Sequence, residues 1–320
     1  MFGSSSGGMK DASDAAPQHV ARCDDAGHCT CVNIASIGHE GVWGPCSSDN
    51  TTEFQAWLNT QSNAHVDAYD TTKPTLTADF LNKYDVIILQ WMVADGKQND
   101  DGAPWVFSSD EISALQTWVN NGGGLIALSG YQGTSPSDIH DIAAPNQLLS
   151  FTDMQFNMDI TLSNATGDDY CWGGSVPLGG PIPTAASTPT FGTWTQQSGY
   201  VGNNVKDIGV LDGRSIMSKD STKVMVDETD GTTIYAAHET IGMGHVFLYG
   251  DEWLTYTGEW TGMTANCNSP PYDSGYDPCY MNSPAEVFQI PQFWYNAITY
   301  AASSVTCFKI MPPPGTQIVY

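Results

Sequence analysis

The stretch between residues 84 and 133 constrains the fold of this chain more than any other part of it. Residues 84–89 form a short apolar run rich in β-branched side chains, which is typical of a strand buried on both faces. Ser108 and Glu111 have the spacing of a capping box and predict a helix start, and three consecutive glycines predict its end. A second apolar run follows at 125–128. Strand, helix and strand in this order predict a parallel sheet, because the crossover brings both strands into one sheet in the same direction.

The rest of the chain contains further segments that suit an α/β domain. Residues 51–59 are amphipathic and predict a crossover helix, and residues 77–82 predict a short helical turn. The segments that predict strands are 32–37, 64–69, 207–211, 223–226, 232–236 and 245–249. The last of these follows a glycine turn and forms a predicted hairpin with residues 234–239. A final helix is predicted at 291–302, with proline in its first turn.

The expected organisation is a single α/β domain over residues 21–310. A flexible tether precedes it at 1–20, and a tail follows at 311–320. Residues 146–231 are rich in Gly, Pro, Ser and Thr. We interpret them as a β- and loop-rich insertion into that domain, because an independent domain would need its own helices and a linker on each side.

The charge balance excludes several classes of partner. The 320 residues include 10 basic and 35 acidic side chains, for a net charge of −25, while 41% are hydrophobic and support a real core. Nucleic acid is not an expected partner, since phosphate binding needs clustered Lys and Arg. Anionic membranes repel such a surface as well. A solvated acidic surface with no specific partner is the simplest explanation.

Eight cysteines indicate an oxidising compartment. Their spacing matches no standard zinc site, because paired CxxC elements are missing, and disulfides account for an even set best. Cys267 and Cys279 flank one loop and are the easiest pair to imagine, while the spacing leaves the other pairings open. The Ser/Gly-rich start resembles the tether of bacterial surface lipoproteins. We therefore expect an exported protein, extracellular or on a bacterial cell surface, with a lipid anchor on a removed segment as one form of attachment.

The order of these segments resembles the class I glutamine amidotransferase-like fold, and within it the ThuA-like branch. The residues that carry the resemblance are 84–89, 120–130, 242–247 and 293–296. It implies a three-layer, flavodoxin-like, mostly parallel sheet with its site at the carboxyl ends of the strands.

Departures from the family pattern change what the resemblance implies about activity. Amidotransferases carry a nucleophilic cysteine after the central strand, where this chain has Ser129, and the ThuA-like branch tends to have histidine there. Their late strand ends in His-Pro-Glu, where this chain has Gly250, Asp251 and Glu252. Glutamine hydrolysis is therefore not expected.

Polar and aromatic residues follow four of the predicted strands. Since the carboxyl ends of parallel strands meet at one edge of the sheet, these residues are expected to converge there. The candidate site residues are His39, Glu40, Trp43, Gln90, Trp91, Ser129, Tyr131, Gln132, Asp251, Glu252 and Trp253.

Carboxylates beside tryptophans and amides predict a carbohydrate ligand or another extracellular ligand. Aromatic rings stack on the C–H faces of sugars, while carboxylates and amides bind their hydroxyls. Glu40 and Glu252 are the candidate acid–base pair for glycoside hydrolysis, with Asp251 as the neighbour that tunes them. The predicted ligand-binding residues are Trp43, Gln90, Trp91, Tyr131, Gln132 and Trp253.

Each of these assignments has an alternative. The tryptophans are also compatible with a structural role in which they cover the core at the edge of the sheet. Asp251 and Glu252 are also compatible with capping the helix or loop that follows them. His39 is also compatible with a structural hydrogen bond. Ser129 with His39 as its base predicts a hydrolase of another kind, although no third orienting residue can be assigned. A hypothesis from a different class, placed before the Ser129 hydrolase, is a non-catalytic assembly or surface-layer component.

No cofactor is expected from the sequence. Acidic pairs at 24–25, 100–101, 168–169 and 227–228 offer oxygen ligands for a structural calcium ion. None has the spacing of an EF-hand, and solvated acidic loops are the commoner explanation. The oligomeric state is left open.

Overall fold

A computed structural model of the chain has a seven-stranded sheet with helices on both of its faces. The described residues are 29–38, 52–94, 103–129, 139–158, 181–183, 207–209, 214–219, 224–227, 234–252, 255, 290–302, 305, 307 and 308.

The described residues form eleven strands. They are β1 (Val32–Ile37), β2 (Ala64–Tyr69), β3 (Val86–Leu89), β4 (Gly124–Leu128), β5 (Met154–Phe156), β6 (Pro181–Pro183), β7 (Asp207–Gly209), β8 (Ile216–Ser218), β9 (Val224–Asp227), β10 (Ile234–Ile241) and β11 (Gly244–Tyr249). The central sheet has the order β2-β1-β3-β4-β11-β10-β9. From β2 to β11 all neighbours are parallel, and β10 and β9 extend the sheet in antiparallel fashion.

The strand order confirms the predicted fold class. The chain runs from β1 outward to β2 and then returns to β3 on the other side of β1, so the direction of winding reverses between β1 and β3. The five parallel strands therefore have the flavodoxin-like order, with β11 as the fifth strand. In such sheets a ligand crevice is expected outside the carboxyl ends of the strands, near the point of reversal.

Helices cover the two faces of the sheet and make a three-layer arrangement. They are α1 (Thr52–Gln61), α2 (Ala78–Leu81), α3 (Ser109–Asn120), α4 (His140–Leu148) and α5 (Ile290–Ala301). Apolar side chains of α1 and α5 form one core with strand residues such as Ile88, while those of α2, α3 and α4 form a second core with residues such as Ile87. Neighbouring strand residues face opposite sides, so each buried strand contributes to both cores.

The start of α3 shows why local sequence predicted it well. The Ser108 hydroxyl accepts a hydrogen bond from the Glu111 N–H at 3.2 Å, and the Glu111 carboxylate accepts one from the Ser108 N–H at 2.9 Å. Glu111 also pairs with Lys73 at 2.6 Å and accepts from the Leu76 N–H. Burial acts to raise the pKa of Glu111, but these hydrogen bonds outweigh it and hold the pKa below its usual value.

Helix α4 was not predicted, because its sequence lacks the usual signals. Its N-cap is Ile139, which makes no side-chain cap, and Pro145 lies inside the helix. Apolar packing holds it instead, since Ile142, Ala144 and Leu148 are buried in the core on the α3 side. Tertiary contacts therefore outweigh the weak helical propensity of the segment.

One disulfide joins the beginning of the domain to its end. Cys31, just before β1, is bonded to Cys307, after α5, across 276 residues of sequence. Asn63 links the same two places, because its carbonyl accepts from the Cys31 N–H and its side chain donates to the Cys307 carbonyl. The predicted pair Cys267 and Cys279 lies outside the described residues.

Strand β2 forms one of the two outer edges of the sheet. Along it, the Ser62 hydroxyl accepts from the Ala64 N–H at 3.0 Å, and the Asn59 carbonyl oxygen accepts from the Val66 N–H at 3.3 Å. Side chains from the end of α1 and the turn after it thus bind backbone donors that a further strand would use.

The described helices are all too short or too polar to cross a lipid bilayer.

Candidate functional site

The carboxyl ends of β1, β3, β4 and β11 meet at one edge of the sheet, as predicted. Gln90 continues the pairing of β3 with β1, because its N–H donates to the Ile37 carbonyl at 2.9 Å. Ser129 continues the pairing of β4 with β11, because its N–H donates to the Tyr249 carbonyl at 3.3 Å. Strands β3 and β4 are neighbours, and neighbouring strands lie about 4.8 Å apart. Gln90 and Ser129 therefore follow the ends of two adjacent strands.

A glycine at the end of β1 sets the path of the neighbouring chain. Gly38 has φ of 103°, a value that residues with a side chain rarely adopt. A Cβ at this position would stand 2.7 Å from the Trp91 carbonyl oxygen. The end of β1 therefore packs directly against the backbone of Gln90 and Trp91, and this contact fixes where those two residues leave the sheet.

Five of the predicted site residues are described, and all five are buried. Gln90, Trp91, Ser129, Asp251 and Glu252 are each exposed by no more than 1% of their surface. Three of the five are neutral and two are carboxylic acids. Such a concentration of buried polar groups is unusual, because removing them from water costs free energy unless they are hydrogen-bonded.

Three polar atoms at this edge have no hydrogen-bond partner in the part of the chain that the structure describes. They are the Gln90 Oε1 atom, the Trp91 Nε1 atom and the Ser129 Oγ atom. The Gln90 amide is held from its other side, since Nε2 donates to the Ser36 hydroxyl at 2.9 Å. A buried polar atom left unbonded costs about 1–3 kcal/mol, and native proteins rarely keep several together without a bound molecule or water.

The two acidic residues after β11 lie in a fixed turn. The Thr255 N–H and hydroxyl both donate to the Glu252 carbonyl, at 2.9 and 2.8 Å. Thr255 is itself fully buried. This turn follows Gly250 directly, so Asp251 and Glu252 are held at the end of β11, next to the end of β4.

A buried ion pair that sequence analysis missed stands beside this turn. Arg214 binds Asp141 through two hydrogen bonds of 2.6 and 2.7 Å, and both side chains are fully buried. Arg214 also donates to the Met158 carbonyl, and its backbone N–H donates to the Gly250 carbonyl at 2.7 Å. Arg214 therefore links α4 and the β5 segment to the residue that precedes Asp251.

The remaining predicted site residues lie outside the described residues. They are His39, Glu40, Trp43, Tyr131, Gln132 and Trp253. The acidic pairs at 24–25, 100–101 and 168–169 lie outside them too. Among the described residues, no group of three or more metal-binding side chains stands close enough to hold an ion.

A second polar cluster lies on the face that α5 covers, on the β10–β11 hairpin. His238 is hydrogen-bonded to the Tyr300 hydroxyl at 2.9 Å, and the His245 ring lies 4.6 Å from the Tyr300 ring. Burial raises the pKa of Tyr300 to about 12, and burial lowers the pKa of His245. These contacts hold the β10–β11 hairpin against α5.

A third polar cluster lies on β2. Tyr84 donates to Asp67 at 2.8 Å and is hydrogen-bonded to Tyr69 at 2.6 Å, while Asp67 binds His65 at 2.9 Å. Burial, followed by the bonds to Tyr69 and Asp67, raises the pKa of Tyr84 above its usual value. A phenol that keeps its proton serves here as a hydrogen-bond donor between β2 and β3.

Comparisons with known proteins identify no family. No protein family model matches the chain, and no curated protein matches it. The chain is similar to two cytoplasmic proteins from Salmonella typhimurium. One is 13% identical with a TM-score of 0.43 over 84% of this chain and 98% of that chain, and the other is 14% identical with a TM-score of 0.44 over 84% and 99%.

A likeness to part of a larger enzyme was also found. A GH42 beta-galactosidase from G. stearothermophilus is 16% identical, with a TM-score of 0.31, over 68% of this chain and 27% of that chain. Similarities as low as these carry no argument about function.

Proposed function

We propose that the chain binds carbohydrate at the carboxyl edge of its sheet. The observation that carries the proposal is the set of buried, unbonded polar atoms on Gln90, Trp91 and Ser129, next to the buried carboxylic acids Asp251 and Glu252. A ligand that hydrogen-bonds these atoms would offset the cost of burying them.

Hydroxyl groups suit the unbonded atoms better than other ligand groups do. Gln90 Oε1 needs a donor, Trp91 Nε1 needs an acceptor, and Ser129 Oγ serves as either. A sugar hydroxyl donates and accepts at once, so one ligand class satisfies all three. The Trp91 ring is itself buried beside Val93, so in this structure it offers the site its N–H group and no exposed face for stacking.

Hydrolysis of the bound sugar is the catalytic form of this proposal. Glu252 would act with Glu40 as the acid–base pair, and Asp251 would set the charge around Glu252. Glu252 lies just after β11, at the edge where the ligand is proposed to bind, and this position supports its role.

We also propose that the protein works outside the cytoplasm, anchored to a bacterial surface or secreted. The disulfide between Cys31 and Cys307 supports this, since such bonds persist in oxidising compartments. The fold, which is shared by many unrelated activities, adds nothing to the assignment. The proposed ThuA-like relationship stands on the sequence resemblance.

The test is a panel of polysaccharides on which binding and the release of reducing ends are measured together. Wild type is compared with Glu252→Gln and with Asp153→Asn, a control that removes one charge at an exposed carboxylate. Release that is lost only in Glu252→Gln would establish a carboxylate-dependent glycosidase. Binding without release would establish a recognition protein.

Two other outcomes would replace the proposal. Release that survives in Glu252→Gln but is lost in Ser129→Ala would favour the Ser129-dependent hydrolase. Neither binding nor release by wild type on any polysaccharide would reject the carbohydrate function and leave the assembly component as the better hypothesis.

A further inference from the structure

We propose that Ser36 is a positioning residue for ligand binding, which acts by holding the side-chain amide of Gln90. This inference rests on the proposed carbohydrate function and deepens it, because it says how one of the ligand-binding groups is presented. Ser36 lies inside β1 and was not among the predicted site residues. Its hydroxyl accepts a hydrogen bond from Gln90 Nε2 at 2.9 Å, and both residues are fully buried.

Ser36 and Gln90 lie on the same face of the sheet, at the end of an apolar core. Ile34 in β1 and Ile88 in β3 both belong to the core that α1 and α5 cover. Side chains alternate along a strand, so the residues two positions further on, Ser36 and Gln90, face the same side. The polar pair therefore stands where this core ends and the carboxyl edge of the sheet begins.

The backbone of Gln90 is fixed by its neighbours on β1. Its N–H donates to the Ile37 carbonyl at 2.9 Å, and Gly38 packs against the backbone of Gln90 and Trp91. The side chain still has several rotatable bonds, and rotation about the last of them exchanges the oxygen and the nitrogen of the amide. A bond to the amide itself is therefore needed to fix its orientation.

The Ser36 hydroxyl supplies that bond. It accepts from Nε2, so the amide presents Oε1, a hydrogen-bond acceptor, on its other side. Oε1 is buried and has no partner among the residues that the structure describes. A buried acceptor without a donor costs free energy, and a ligand hydroxyl that donates to Oε1 would remove that cost. Ser36 thus acts through Gln90 and need not touch the ligand itself.

A double-mutant cycle tests whether Ser36 acts through Gln90. Dissociation constants are measured by calorimetry for wild type, Ser36→Ala, Gln90→Met and the combined protein, with glucose, galactose, mannose, xylose and the polysaccharides of the panel as probes. Ser36→Ala is expected to weaken binding about three- to tenfold, the effect of one hydrogen bond. In the Gln90→Met background the same change is expected to have no further effect, because methionine is similar in length but has no amide to hold.

A second measurement needs no ligand. With isotopic nitrogen in glutamine side chains only, the Gln90 amide protons are identified in NMR spectra as the signals that Gln90→Met lacks. In wild type they are expected to exchange slowly with solvent, since the amide is buried and bonded to Ser36. Ser36→Ala is expected to speed this exchange about three- to tenfold, because the bond is lost.

A control variant separates positioning from a general loss of structure. Thr152→Val removes another buried hydroxyl, one that is bonded to the backbone of Met154 at the start of β5. It is expected to leave both the affinity and the exchange of the Gln90 amide unchanged. Thermal unfolding of every variant checks that each protein is folded at the temperature of the binding measurement.

The outcomes distinguish this inference from the function beneath it. If Ser36→Ala weakens binding equally with and without the Gln90 amide, or leaves the exchange of that amide unchanged, the inference is wrong and carbohydrate binding stands. An equal weakening by Thr152→Val would also overturn it, since the loss would then come from stability. Failure of wild type on every sugar and polysaccharide would overturn both the inference and the carbohydrate function.

Discussion

At the scale of single residues, the site combines groups that sequence analysis could find with groups that it could not. Gln90 and Ser129 were predicted because each directly follows an apolar run, and strand ends in a parallel sheet converge. Arg214 was missed because it lies 73 residues from Asp141 in a segment without periodic pattern. Arg214 is one of two arginines in a chain with few basic residues, and that signal does not indicate its partner.

His245 gives a pH dependence that can be tested at the residue level. Burial lowers the pKa of this imidazole in the folded chain below the 6.5 of an exposed histidine. Between the two values the unfolded chain binds more protons, so stability is expected to fall as pH drops below about 6.5 and to level off below the folded pKa.

Denaturant unfolding of wild type and His245→Gln at pH 7.5 and pH 5.5 measures this contribution. Wild type is expected to lose more unfolding free energy than the variant on acidification. An equal loss in both proteins would assign the pH dependence to other groups.

At the scale of elements, the Asp141–Arg214 pair holds α4 and the β5 segment against the end of β11. Asp141→Asn would leave the Arg214 charge buried without its carboxylate, and we expect a loss of about 3–5 kcal/mol in the free energy of unfolding. Urea denaturation followed by circular dichroism measures it.

A second variant tests whether the loss comes from the uncompensated charge. In the combined Asp141→Leu, Arg214→Met protein both charges are absent, so the loss is expected to be smaller than in Asp141→Asn. A larger loss in the double variant would mean that the side-chain hydrogen bond from Arg214 to the Met158 carbonyl matters more than the charge.

Elements with strong local signals were predicted, and those held by packing were not. The capping box of α3, the short helix α2 with its Thr77 cap and the β10–β11 hairpin all appear where the sequence indicated them. Helix α4 contains Pro145 and lacks a side-chain cap, so its propensity argued against it. Its formation depends on a core to which distant strands contribute.

At the scale of the whole molecule, the disulfide between Cys31 and Cys307 closes nearly the full length of the domain. We expect the Cys31→Ser, Cys307→Ser protein to lose about 2–5 kcal/mol of stability, because the cross-link restricts the unfolded chain. Thermal unfolding under non-reducing conditions measures the effect without disturbing other cysteines. An unchanged melting temperature would mean that the Asn63 hydrogen bonds suffice to join the two places.

The order of the strands could be predicted from the sequence, while the pairing of Cys31 with Cys307 could not. Two βαβ units and a right-handed crossover leave few arrangements of a parallel sheet, and the observed order is one of them. Eight cysteines allow many pairings, and spacing along the chain says little about which sulfur atoms meet. The pairing of Cys31 with Cys307 depends on the return of α5 to the start of β1.

The side chains along the outer edge of β2 affect how these molecules associate at high protein concentration. Asn59 and Ser62 bind the N–H groups of Val66 and Ala64, which a strand from another molecule would otherwise use as its template. This edge of the sheet is thereby less able to pair with a strand from another molecule, the route by which exposed edges seed fibrils. This matters most for a protein held at high density on a surface, because the local concentration of neighbouring copies is high there.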